Sequence, residues 1–132
     1  MDSEEGELRV IVKDFKELIV WQKSSDLVVE AYKLTKDFPK EELYGLISQI
    51  RRAAVSIPTN ISEGYSRKST NEFIQFVHIA LSSASELETL LCLSNRLSFL
   101  SKNDNELVAN HICEVKRLLR GLINSLKARR VK

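Results

Sequence analysis

Glycine and proline are scarce in this chain of 132 residues, with four and two copies. Few tight turns are therefore available, which excludes an architecture of many short strands and favours long helices. Aromatic residues make up only 7% of the chain. No run of Val, Ile and Thr alternates with polar residues over strand length, so strands are not expected. Cysteine is equally sparse. Cys92 and Cys113 stand far apart with no CxxC spacing, which excludes a disulfide framework or a zinc pair and leaves both expected as buried small hydrophobes. The start MDSEEGELRV has no basic n-region and no apolar h-region, so no secretory signal is expected. No segment reads as apolar over membrane-spanning length, and a cytoplasmic location is the expectation.

The signatures of catalysis are missing too. There is no Gly-rich phosphate loop, no GxSxG and no HExxH. The Glu-x-x-His pairs of di-iron bundles are absent, because Gln75 stands before His78 at that spacing and Val108 before His111. His111 is expected as a satisfied core or boundary histidine. Glu86 and Glu88 fall on different faces of a helix and make a poor acid/base pair. No catalytic residue, metal or cofactor is expected.

What is present is a balanced chain, 43% hydrophobic and 29% charged, long enough for one domain with a real core. The first 14 residues are acidic and expected to be loose, and residues 15–132 form the domain. A first helix is expected over residues 17–37, with Val20, Trp21, Leu27, Val28, Ala31, Tyr32 and Thr35 near helical spacing and Phe38-Pro39 as its stop. Trp21 and Tyr32 are expected as core or interface anchors. A second helix begins near Lys40. Its stripe from Leu43 through Ile50, Ala54 and Ile57 to Ile61 passes Pro58 without losing phase, so it is expected to continue with a kink. Gly64 then fits a left-handed position ending that helix.

Ser69-Thr-Asn-Glu72 reads as a capping box opening the third and longest helix. That helix carries an apolar band from Phe73 to Leu91, widened by Ile74, Ile79, Leu93 and Leu97. Small residues between Ala80 and Ser85 allow close approach of a neighbour. A fourth helix starts at Asp104 or Asn105, with Leu107, Val108, His111, Ile112, Val115, Leu118, Leu119, Leu122, Ile123 and Leu126 on its buried side. The expectation is an all-α fold, an antiparallel up-down four-helix bundle.

Charge is unevenly placed although the net is only +2. Asp2, Glu4, Glu5 and Glu7 crowd the start. No acid follows Glu114, while Lys116, Arg117, Arg120, Lys127, Arg129, Arg130 and Lys132 do. Such asymmetry has two readings: an electrostatic footprint for a polyanion, or a solvated helix end whose cations suit the helix dipole. A second basic group, Arg51, Arg52, Arg67 and Lys68, flanks the second helix and its exit turn. Arginine forks suit phosphate oxygens. Aromatic residues are not interleaved with these cations, so contacts to a structured backbone are expected before stacking on single strands. On the second helix, Gln49, Arg52, Ser56, Asn60 and Glu63 make a polar stripe of short hydrogen-bonding side chains. It reads either as a packed contact surface or as local repair of the kink at Pro58.

The residues also resemble a known family. VWQK in the first helix, FPKEE, QIRRAAVSIPTNISEGY, and an F-x-x-F followed by ALSSASELE together resemble the bacterial four-helix-bundle proteins encoded in intervening sequences of 23S ribosomal RNA genes. The resemblance covers Phe15 to about Leu100, with a compatible fourth helix. Family members more often have Ala where Ser62 stands. The resemblance implies an antiparallel four-helix protomer and a homopentamer, a barrel-like ring around a channel. Similar bundles serve as accessory subunits of diversity-generating retroelements, where a basic pentamer binds the reverse transcriptase and nucleic acid. In such a ring, Pro58 would angle the second helix so that Gln49, Arg52, Ser56, Asn60 and Glu63 meet a neighbouring protomer and Arg67 and Lys68 line one rim. The expected function is therefore non-enzymatic and oligomeric, binding structured nucleic acid, RNA before DNA. The alternative is a protein-interaction scaffold or accessory subunit of an enzyme such as a reverse transcriptase.

Overall fold

The computed structural model describes residues 14–131, with side chains to residue 129. Four long helices make up the fold, and no strand occurs among the described residues. They are α1 (Ile19–Thr35), α2 (Ser48–Tyr65), α3 (Thr70–Arg96) and α4 (Lys102–Val131). Helix α1 packs on α2, α2 on α3, α3 on α4, and α4 closes on α1. Cross-helix pairs fix the directions. Ser56 meets Ser83 while Tyr65 meets Phe73; Glu30 meets His111 while Lys23 meets Glu114. In each set one index rises as the other falls, so these neighbours are antiparallel and the connections between helices are short, as in an up-down bundle.

The apolar stripes read from the sequence supply the core. Val20, Leu27 and Ala31 of α1, Ile50, Ala54, Ile57 and Ile61 of α2, Phe73, Val77, Leu87 and Leu91 of α3, and Val108, Ile112, Leu119 and Leu126 of α4 are all buried. Each fully buried Leu, Ile or Phe contributes about 1.5–3 kcal/mol against leaving it in water. Trp21 and Val28 pack partly against this core. Ser69 caps α3 as expected, its hydroxyl accepting from the Glu72 backbone N–H at 3.3 Å.

Boundaries differ from expectation at several points, each for a local reason. A separate 3₁₀ turn, Phe15–Glu17, precedes α1 and is capped by Asp14, whose carboxylate accepts from the Lys16 N–H at 3.0 Å. The expected loose segment 1–14 lies outside the described residues except for this Asp14. The second helix has a broken start: a 3₁₀ turn (Lys40–Glu42) and a wide turn (Leu43–Ile47) come before α2. Gly45 leaves helical geometry there (φ −111°, ψ −112°), and the Glu42 carboxylate takes the Leu46 N–H at 3.2 Å. Helix α4 begins at Lys102, ahead of the expected start, because the Ser101 hydroxyl accepts from the Asp104 N–H at 3.1 Å.

Helix α2 does run through Pro58. Pro58 has no N–H for the Ala54 carbonyl. The next two carbonyls take side-chain donors: Thr59 Oγ1 donates to Val55 O at 2.7 Å and Asn60 Nδ2 to Ser56 O at 2.8 Å. Gly64 is not a left-handed cap. No glycine among the described residues has positive φ, and the helix continues to Tyr65. Gly64 is buried because α3 crosses it closely: a Cβ there would stand 2.7 Å from Phe76 Cβ and 2.9 Å from Phe73 Cδ1.

Several residues expected inside are outside. Cys92, Cys113, His111 and Leu107 are exposed, as are Ile79, Leu93 and Leu97; of the four residues expected to widen the α3 band, only Ile74 is buried. The bundle buries one broad side of α3, so apolar residues turned away from it stay in water. Helix α3 is also long and apolar enough to cross a membrane by length and composition alone, contrary to the expectation above. In the fold it is a core helix packed on both α2 and α4.

The α3–α4 turn uses backbone chemistry that composition does not reveal. Phe99 N–H reaches Ser94 O at 2.9 Å and Ser98 N–H reaches Asn95 O at 3.0 Å, the two bonds of a Schellman cap. The left-handed residue is Ser98 (φ 65°), where glycine is usual.

Candidate functional site

The antiparallel topology sorts the basic residues differently from their order in the chain. Arg67 and Lys68 leave α2 at the end of the bundle where α3 begins. The Lys116–Glu88 contact sets the α3–α4 register. Following it to the end of α4 brings Lys127 and Arg129 level with the turn of α3 that holds Phe76. The Arg67 guanidinium lies over that same Phe76 ring, 4.8 Å from its centroid, and 3.7 Å from Glu63. The exit turn of α2 and the end of α4 thus share one end of the molecule. Lys127 and Lys68 are exposed there, while Arg129 is half-buried and donates to Ser125 Oγ. The side chain of Arg130 lies outside the described residues.

The other candidates separate from this group. Arg117 and Arg120 are exposed further back on α4. Lys116 is mostly covered and sits 3.0 Å from Glu88, so its charge is already matched. Arg52 is exposed on α2. Arg51 stands toward the opposite end of α2, held at two points: its guanidinium is 4.5 Å from the Tyr32 ring centroid and its Nε donates to Thr35 Oγ1 at 3.0 Å, while Thr35 Oγ1 donates in turn to Ala31 O at 2.8 Å. Both Arg51 and Arg67 are thereby pre-oriented by an aromatic shelf, which lowers the entropy lost when a guanidinium engages an anion.

The polar stripe of α2 also divides. Ser56 Oγ lies 2.8 Å from Ser83 Oγ of α3, and Asn60 Nδ2 donates to Ser56 Oγ at 2.9 Å. These two residues are partly buried and engaged within the protomer. Gln49, Arg52 and Glu63 are exposed. Pro58 points away from this stripe, toward α1, and lines a groove of about 320 Å³ with Phe15, Trp21, Val28, Val55 and Ser62. Phe15 and Trp21 meet edge-to-face, 5.3 Å between centroids. The wall of this groove is not apparent from spacing, because Phe15 reaches it through the 3₁₀ turn before α1.

A second cleft, about 530 Å³, opens between α1 and α4. It mixes Lys23, Asp26, Glu30, Lys33, His111 and Glu114. His111 Nδ1 is 2.7 Å from Glu30 Oε1 and Lys23 Nζ 3.9 Å from Glu114 Oε1, so these polar groups already have partners within the cleft. Among the described residues, no three His, Cys, Asp or Glu side chains gather as a metal site would need.

Comparison with known proteins agrees with this architecture. Among curated proteins none matches the chain. A crystal structure of a protein of unknown function from the S23 ribosomal protein family of Bacteroides thetaiotaomicron superposes with a TM-score of 0.75 at 31% identity, covering 80% of this chain and 96% of that one. The family described as 23S rRNA-intervening sequence protein matches residues 16–121, all of the first three helices and most of α4. By that match the chain belongs to the 23S rRNA-intervening sequence protein family.

Proposed function

We propose that this is a non-enzymatic cytoplasmic protein that binds the phosphate backbone of structured nucleic acid, RNA before DNA, as a homopentameric ring. The observation that carries the reading is the gathering of Arg67, Lys68, Lys127 and Arg129 at one end of the bundle, continued along α4 by Arg117 and Arg120 with no acid after Glu114. Phosphate contacts are made by such forks and point charges without a catalytic cleft. Repetition around a ring multiplies a modest patch into an avid one. Replacing Arg67, Lys68, Arg120 and Lys127 by Gln strongly weakens binding to an RNA duplex on this reading.

A second reading is a protein-interaction scaffold or accessory subunit of an enzyme such as a reverse transcriptase. It is favoured by exposed apolar surface: Tyr44 is 93% exposed beside Leu43, and the Phe15–Trp21–Pro58 groove is open. Under it the four Gln substitutions leave partner capture intact. The role of Pro58 in the ring is tested by Pro58→Ala. If Pro58 sets the path of α2, the substitution weakens assembly, read as a lower mass in solution; an unchanged mass contradicts a role for Pro58 in assembly.

A further inference from the structure

We propose that an RNA duplex lies on the outer α3–α4 face, with the cations of α4 on its phosphates and a row of neutral polar side chains on α3 reading its ribose 2′-hydroxyls. The inference rests on the nucleic-acid reading above and names what selects RNA over DNA.

The face is built around the Lys116–Glu88 contact, 3.0 Å across the α3–α4 seam. On a helix, residues three and four apart are neighbours. One turn to either side of Glu88, Ala84 and Leu91 are buried whereas Ser85 and Cys92 are exposed. One turn to either side of Lys116, Ile112 and Leu119 are buried whereas Cys113 and Arg120 are exposed. Both helices therefore turn an exposed row to the solvent side of the seam.

The two rows differ in chemistry. On α3 the row is Gln75, His78, Ser82, Ser85 and Thr89, at steps of three and four, all exposed and none acidic. On α4 it is Arg117, Arg120, Asn124 and Lys127, also exposed and at steps of three and four. Because the helices are antiparallel, the α4 row runs from the seam contact toward the start of α3, alongside Gln75 to Ser85. Acids are kept off this face. Glu72 and Glu86 share the next row of α3 with Ile79 and Leu93, away from α4, and Glu88 is matched by Lys116. Glu114 turns to Lys23 of α1, and no acid follows it in the chain.

Cations bind phosphate oxygens whatever the sugar, so they do not tell RNA from DNA. The 2′-hydroxyl does, and the wide, shallow minor groove of an A-form duplex displays it. It both donates and accepts, and hydroxyl, amide and imidazole side chains do the same. The side chains of Gln75, His78, Ser82 and Ser85 make no hydrogen bond or ion pair among the described residues, so their polar atoms are available. Thr89 already donates to the Ser85 carbonyl at 3.1 Å. At 1.5 Å per residue, Gln75 to Thr89 spans about 21 Å, a length that several successive nucleotides of one strand occupy.

Fluorescence anisotropy with an RNA duplex and a DNA duplex of the same sequence tests the two rows separately. The triple variant Gln75→Ala, Ser82→Ala and Ser85→Ala changes exposed helix positions to the best helix former, so the fold is kept. At about 100 mM salt it is expected to bind RNA about tenfold more weakly than the native chain, to bind DNA equally well, and to keep the native salt slope, because no phosphate contact is lost. Arg117→Gln with Arg120→Gln is expected to weaken both duplexes alike and to flatten the slope by about two. Native affinities equal for the two duplexes, or a preference for RNA that the triple variant keeps, overturn the inference and leave the nucleic-acid reading standing. A native chain that binds neither duplex overturns that reading and the inference with it.

Discussion

The hydroxyls of Ser56 and Ser83 meet at 2.8 Å between α2 and α3, and Asn60 donates to Ser56 from one turn further on. Two small polar residues let the helices approach, and each satisfies the other in a partly buried contact. Ser83→Leu should therefore cost about 1–3 kcal/mol by overpacking. Ser83→Ala should cost about 1 kcal/mol, the worth of a single hydrogen bond. Urea unfolding of the two variants checks the order; equal losses would mean that the space between the helices is not limiting.

The glycines give a test in which the sign reverses. Gly121 is exposed within α4, and a Cβ there meets nothing within 4 Å. Gly121→Ala should stabilise by about 1 kcal/mol through helix propensity. Gly64→Ala gains the same propensity but drives its methyl against Phe76 Cβ and Phe73. A net loss of about 1–2 kcal/mol is expected at Gly64, measured by the same denaturation.

Ser98 is a third point of control. It holds φ 65° in the cap that ends α3. The left-handed conformation costs a non-glycine residue about 1 kcal/mol. Ser98→Gly should recover much of that without touching any surface proposed to bind. A rise in thermal midpoint with unchanged duplex affinity is the expected result.

Local chemistry was legible in the sequence. Helical spacing located the four stripes, the unbroken phase across Pro58 indicated a continuous α2, and Ser69 and Glu72 announced the start of α3. What was not legible depends on a second helix. Gly64 looks like a helix end until Phe76 is seen to cross it. Lys116 looks like a free cation until Glu88 is found beside it, and Arg51 like a loose one until Tyr32 and Thr35 are found holding it. Cys92 and Cys113 have apolar neighbours in the chain yet fall on the outer side of their helices. Spacing indicates which residues share a face, but the choice of face made by the partner helix decides what each does. The same holds for the candidate site: chain order grouped Arg67 with Arg51, whereas the topology groups it with Lys127.

The most direct measurement is fluorescence anisotropy of a structured RNA and a matched DNA duplex over a salt series, on protein of known mass. The native chain should bind the RNA more tightly, with affinity falling linearly in log salt at a slope near the number of phosphates contacted. Neutralising Arg67, Lys68, Arg120 and Lys127 should flatten that slope, while Lys116→Gln should leave it nearly unchanged because Glu88 already matches that charge. No binding at low salt, or a slope that Lys116→Gln changes as much as the fourfold variant, would contradict the account.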